Sequence, residues 1–387
     1  MTELCDTAAC FSCGACVQIC PRDAIRLQDD PSGFLSPRID PGKCVSCGLC
    51  RKSCPVLNPQ DTHGILACYA GWTANRQERR GSSSGGIAYA VSKKTIHDGG
   101  VVFACRYTPG GDVEQACIET LDELEAARGS KYVKSATKDT YRRTKAFLEK
   151  GRKVLWIGTP CQIAGLYGYL GARYPNLLTV DLVCHGTPPF RYWREYLDHL
   201  FPGHRGITCS FRDNTNGFCM FFHSGEKLLL KRDWKSDPYF YAFMYGIDYS
   251  ESCYSCPFAS AGRVADLTLG DFWGLDRKGM EKVPFFPSMI LVNTQSGRKI
   301  LDVLQNELVL IERDVSEAIA GNAQLRQPAA RHALREQFLK SYHQNGFHTA
   351  MKETGITGIC AKNFLAFRLK QPLYFLYNVL RRPSRDF

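Results

Sequence analysis

From about residue 64 onward the chain keeps a steady rhythm of apolar runs, turns and stretches with helical spacing. "VVFACRY" (101–107), "KVLWIG" (153–158) and "LLTVDLVC" (177–184) read as buried strands. "GGIAYAVSKKTIHDGG" (85–100) reads as a helix stopped by glycines, "QIAGLYGYL" (162–170) has helical spacing, and a further helix is predicted over 190–201. Strand–helix–strand succession of this kind predicts a partly parallel α/β sheet. "ITCSFRD", "FCMFFH" and "KLLLKR" predict a group of antiparallel strands, and "ADLTLGD" and "SMILVNT" return to buried strands. "NPQDTHG" (58–64) has the composition of a linker.

Ahead of that linker the rhythm is absent and cysteines take its place. Cys10, Cys13, Cys16 and Cys20 precede Pro21, and Cys44, Cys47, Cys50 and Cys54 precede Pro55. Both runs read C-x2-C-x2-C-x3-C-P, the spacing with which bacterial-type ferredoxins hold 4Fe–4S clusters. Two-residue gaps curl the backbone so that three sulfurs meet three corners of a cubane, while the fourth cysteine reaches the other cluster. One cluster is therefore expected on Cys10, Cys13, Cys16 and Cys54, and a second on Cys44, Cys47, Cys50 and Cys20. Zinc knuckles use pairs rather than triplets plus one, and a disulfide framework belongs to secreted chains. Cys5 falls outside the pattern and reads as a spare thiol.

The expected fold class is therefore α+β/α/β: a small bacterial ferredoxin-like domain (1–62), a mixed-sheet α/β domain (63–312) and a C-terminal helical extension (313–387). The N-terminal residues have neither the basic start nor the apolar stretch of a signal peptide. Nineteen cysteines are many for an intracellular chain, but eight fall in the two runs, and reduced thiols and exposed cluster ligands belong in a reducing cytoplasm. The formal net charge is +11. Two clusters with thiolate ligands would bring it to roughly +7, and a third to roughly +5. That balance suits anionic partners, and no basic run interleaved with aromatics suggests nucleic acid. The tail from Asn363, with Arg381, Arg382 and Arg385, reads as a docking helix or as a peripheral membrane contact.

Four more features carry chemistry. In "WIGTPCQIAGL" Cys161 sits where a strand turns into a helix, a position that favours thiolate. "DLVCHGTPP" ends the next strand with Cys184, and parallel neighbours would deliver both cysteines to one sheet edge. Cys253 and Cys256 form a C-x2-C pair, and the four sulfurs would complete a third cluster or a zinc site. A nucleophilic Cys161 with His185 as its base is the other reading. Cys68, Cys105, Cys117, Cys209, Cys219 and Cys360 read as packing residues. The fourth feature, "RRGSSSGGIAYA", places small residues ahead of a helix, as an anion cradle or as a flexible loop.

The ordered set "SSSGGI", "GSKYVKS", "GTPCQIAGL", "VDLVCHGTPP", "SFRD", "CYSCPF" and "ADLTLGDFWG" resembles the coenzyme F420 hydrogenase/dehydrogenase beta-subunit family, from about Tyr69 to about Asn293. The resemblance implies an iron–sulfur flavoprotein oxidoreductase that binds FAD. It makes Ser82, Ser83, Ser84, Gly85 and Gly86 a cofactor phosphate cradle and Lys131 with Tyr132 a second flavin contact. Asp271 and Trp273 become site-lining, and Cys161, Cys184, Cys253 and Cys256 hold the cluster beside the flavin. It implies an external electron donor or acceptor such as ferredoxin, and a small-molecule or deazaflavin-like substrate left open. Bacterial relatives are associated with surface polysaccharide synthesis. The alternatives are an electron-transfer subunit without its own substrate, and a cluster-binding module without flavin.

Overall fold

The computed structural model describes residues 4–212 and 216–366 of the 387-residue chain. In the cysteine-rich module β1 (Ile25–Asp29) and β2 (Leu35–Ile39) pair as an antiparallel hairpin. Beyond the linker come β3 (Ala67–Thr73), β4 (Val101–Tyr107), β5 (Val113–Ile118), β6 (Val154–Gly158) and β7 (Leu177–Leu182). The three strands β8 (Ile207–Ser210), β9 (Cys219–Ser224) and β10 (Lys227–Asp233) form the expected antiparallel sheet. They are followed by β11 (Leu267–Asp271), β12 (Ser288–Val292) and β13 (Leu308–Arg313).

The main sheet has eight strands in the order β13-β3-β12-β11-β7-β6-β4-β5. Its centre, β11-β7-β6-β4, is parallel, and the strands flanking it are antiparallel. β6 and β7 are thus parallel neighbours, and their carboxyl ends open at one edge together with that of β11.

Alternation along the strands divides two apolar layers. Val101, Phe103, Val154, Trp156 and Leu177 face the layer of helices Thr140–Glu149 and Pro160–Leu170. Val102, Leu155, Val180 and Leu267 face that of helices Ile87–His97 and Gln295–Val303. The cysteine-rich module lies on the first layer, to which Cys13 and Ala15 belong. Its backbone is tied down by Thr137 Oγ1 donating to Cys13 O (2.9 Å) and by the Tyr141 amide donating to Gln18 Oε1 (2.8 Å). The linker is held as well, through paired backbone bonds between His63 and Arg263 (2.7 and 3.1 Å).

A third, aromatic core joins β8–β10, helix Phe190–Leu200 and helix Arg335–Glu353 around Tyr192, Trp193, Phe211, Phe222, Tyr239, Phe338 and Phe347. The helices after Arg313 therefore pack into the body as far as buried Cys360. Most of the basic and aromatic tail, with Arg381, Arg382 and Arg385, lies outside the described residues. Among those described, no helix is long and apolar enough to cross a membrane.

Candidate functional site

Each cysteine run enters a short helix through a glycine in the left-handed region, Gly14 before Ala15–Ile19 and Gly48 before Leu49–Lys52. In the first run the turn carries Cys13 and Cys16 inward, where both are buried. Cys10, Cys13, Cys16 and Cys54 line one hollow of about 320 Å³. Burial pushes the Cys13 thiol up to about 12 and raises that of Cys16, with Cys10, Cys13 and Cys54 adding to the effect. At the other end Cys50 lies within electrostatic reach of Cys47 and Cys20, so the last cysteine of the first run sits with the second run. Cys44 and Cys47 are exposed. Cys5 is not remote from this arrangement: it hydrogen-bonds to both Cys10 and Cys54 and lines the same hollow.

The second constellation comes together at the carboxyl edge of the parallel strands. Thr159 caps helix Pro160–Leu170 in a capping box with Gln162, and its Oγ1 lies 3.2 Å from Cys161 Sγ. Cys184 follows β7 by two residues, and Cys253 and Cys256 arrive on the turn Glu251–Ser255. The four cysteines line one hollow of about 580 Å³ with Lys134, His185, Phe11 and Phe258. Burial raises the thiols of Cys184 and Cys253 and pushes that of Cys256 up to about 12, with the neighbouring cysteines reinforcing the shift on Cys184 and Cys256. Three such buried thiols, at Cys184, Cys253 and Cys256, resist ionisation alone and favour the thiolate only when a metal centre neutralises them. Among the described residues no group of three or more His, Cys, Asp or Glu side chains that could hold a metal ion is found. Four cysteines around one hollow are the donor set that a cubane takes.

The two hollows share a wall. Phe11 lines both, and its ring meets that of Phe258 edge-on at 5.3 Å. Lys134 donates from Nζ to Phe11 O at 2.7 Å. Burial opposes its charge, but Cys161, Cys253, Cys13 and Cys184 together hold its ammonium above the ordinary range. Cysteines of both hollows thus act on one lysine.

The residues named for the flavin lie in a connected track. Ser83 Oγ accepts from the Ser130 amide (2.7 Å), joining the loop at 82–86 to the Ser130–Tyr132 segment. Tyr132 stacks on Phe243 at 4.6 Å and lies beside Arg212 and Asp271. Arg212 grips Asp271 with both terminal nitrogens (2.5 and 3.0 Å), sandwiched by Phe218 and Phe286. Trp273 stacks against Phe218 at 6.0 Å, and Asp271 reaches electrostatically to His185 on the wall of the second hollow. Lys131 turns its ammonium back onto the carbonyls of Ala127, Arg128 and Gly129 (2.9, 3.0 and 3.1 Å). The cation at the loop is Arg128, which donates to Ser82 Oγ. Gly85 serves packing: a Cβ there would stand 2.3 Å from Gly71 O of β3.

Sequence reasoning missed Lys134, Phe11 and Arg212, although Lys134 and Arg212 lie inside the quoted "GSKYVKS" and "SFRD". It also missed Arg263, which is 2% exposed and bonds Asp181 (2.9 Å), Thr268 (3.1 Å) and Phe258 O (2.8 Å). Arg263 ties the segment after Cys256 to β7 and β11.

Residues 151–318 match the family model for the C terminus of the coenzyme F420 hydrogenase/dehydrogenase beta subunit, and residues 9–58 match a 4Fe–4S dicluster domain. The first match covers Cys161, Cys184, Cys253, Cys256, Asp271 and Trp273, but not the loop at 82–86 or Lys131. No curated protein matches. Thirteen chains of solved structures do. Among them is a chain from the xenon-derivatized F420-reducing NiFe hydrogenase complex of Methanosarcina barkeri, at 15% identity, TM-score 0.43, covering 75% of this chain and 91% of that one. The protein is thus an iron–sulfur electron-transfer protein in which a 4Fe–4S dicluster domain at residues 9–58 precedes a domain, at residues 151–318, that matches the C terminus of coenzyme F420 hydrogenase/dehydrogenase beta subunits.

Proposed function

We propose that the chain is a flavin-dependent oxidoreductase in which three cysteine sets hold 4Fe–4S clusters in series and the Ser82–Gly86 track holds FAD. The observation that carries this reading is the convergence of Cys161, Cys184, Cys253 and Cys256 on one hollow that shares Phe11 with the N-terminal one and holds Lys134, which donates to Phe11 O. When bound, clusters move single electrons, and a flavin joins that traffic to two-electron chemistry on a substrate.

The protein's own residues supply the rest. Cys44 and Cys47 stand exposed among Lys43, Val45, Arg51 and Lys52, a basic and partly apolar rim on which an acidic donor such as ferredoxin can settle. Phe11 and Phe258 exclude water between the two hollows, and Lys134 offsets the charge of both. Asp271, fixed by Arg212, links the second hollow to the track through His185.

The test is anaerobic purification with flavin extraction, followed by reduction through reduced ferredoxin. FAD is expected in the wild type and is reduced by this donor. Cys184→Ala keeps the N-terminal centres reducible while stopping flavin reduction. Protein without flavin leaves the cluster-binding module as the reading. Flavin reduction that passes no electrons to any small molecule unless a partner is added favours the electron-transfer subunit.

A further inference from the structure

The N-terminal hollow is lined by five thiols, whereas a cubane takes four. The fifth is Cys5, and its place is built rather than incidental. Asp6 caps the single turn Thr7–Ala9 by accepting from the Ala8 amide at 2.9 Å, and the Cys10 amide closes the turn on Thr7 O at 3.3 Å. The turn returns the chain on itself, so that Cys5 and Cys10 face each other across it. Leu4, at 3% exposure, anchors the near end against Cys16 and Ile25. Cys5 thereby reaches two sulfurs, those of Cys10 and Cys54.

Those two sulfurs are equipped as ligands in a way that Cys5 is not. Cys10 Sγ accepts from the Ser12 amide at 3.4 Å, and the amides of Val56 and Leu57 lie close enough to Cys54 to favour its thiolate. Amide donors of this kind stabilise a thiolate. Cys5 lines the same hollow as both, with its sulfur already at their side.

We propose that Cys5 is a reserve ligand of the first cluster, able to replace Cys10 or Cys54 on its iron, but not Cys13 or Cys16. In the exchange the iron–sulfur bond to Cys54 (or Cys10) breaks as one to Cys5 forms. The Cys5 proton passes to the departing sulfur, and no oxidation state changes. The proposal rests on the assignment of a cubane to this hollow, so the first cluster is counted in the wild type before any variant is judged. Its absence there would remove that assignment and not bear on Cys5.

The experiment uses the full chain, purified anaerobically, with iron and sulfide per chain and the EPR spectrum of the reduced protein as readouts. Cys54→Ala and Cys10→Ala are each expected to keep the first cluster, with an altered signal, and to lose it when Cys5→Ala is added. Cys13→Ala and Cys16→Ala lose it outright, and Cys5→Ala alone keeps it unchanged. Retention in either Cys54→Ala or Cys10→Ala that depends on Cys5 supports the proposal. Loss in both, or retention that survives Cys5→Ala, overturns it. Loss in Cys5→Ala alone also overturns it, since Cys5 would then be a resident ligand.

Discussion

A Cβ at Gly168 would stand 2.3 Å from Ser53 O, and one at Gly165 would stand 2.9 Å from Cys13 Sγ. These two notches set how near the dicluster module comes to helix Pro160–Leu170. Because the atom facing Gly168 is backbone, Gly168→Val forces the module outward. The variant should keep its iron but pass electrons from the N-terminal clusters to the third more slowly, which freeze-quench EPR would record. Lys134 carries a second prediction. Lys134→Gln keeps a donor for Phe11 O but removes the charge, so both adjoining clusters should become harder to reduce by tenfold or more, about 59 mV for one electron. Lys134→Arg and the distal cluster should stay near wild type in the same redox titration.

Asp248 gives a third prediction at this scale. It is fully buried, both of its oxygens lack a partner among the described residues, and burial pushes its carboxyl up to about 8. The folded state then binds more protons than the unfolded one between about pH 4 and pH 8. Stability should fall across that window as pH rises, and denaturant melts of Asp248→Asn should show a flatter profile.

The elements that place the third set were legible because their signals are local. Apolar runs ending in "GTPC" and "VCHG" mark β6, β7 and the turns that follow them. What was not legible is long-range. β3, "ACYAGWT", is small and unremarkable in sequence, yet it lies between β12 and β13, where Gly71 leaves room for Ile290 and Leu310. β5 carries Glu114 and Gln115 into a buried position, and only the structure shows the partners, Lys138 for Glu114 and Gln162 for Gln115. Arg263 was hidden for the same reason, since Asp181, which it pairs with at 2.9 Å, is 82 residues away. Arg263→Leu leaves Asp181 uncompensated at 0% exposure. It should cost about 3–5 kcal/mol of stability, measured by denaturant unfolding, and should lower occupancy of the third cluster.

At the scale of the whole molecule, the dicluster module is built into the body rather than tethered to it. Gln18, Phe11, Cys13 and Ser53 on one side meet Tyr141, Lys134, Thr137 and Gly168 on the other, and this places the three cysteine sets in succession. The cysteine spacings could announce the sets but not the shared wall between two of them, because the "GSKYVKS" segment that forms it is more than a hundred residues from Phe11. The central claim is that the third set holds a cluster of its own. Iron and acid-labile sulfide counted per chain in the anaerobically purified protein, beside Cys184→Ala, test it most directly. About twelve of each are expected in the wild type and about eight in the variant; about eight in the wild type, or about twelve in both, would leave Cys161, Cys184, Cys253 and Cys256 without a cluster of their own.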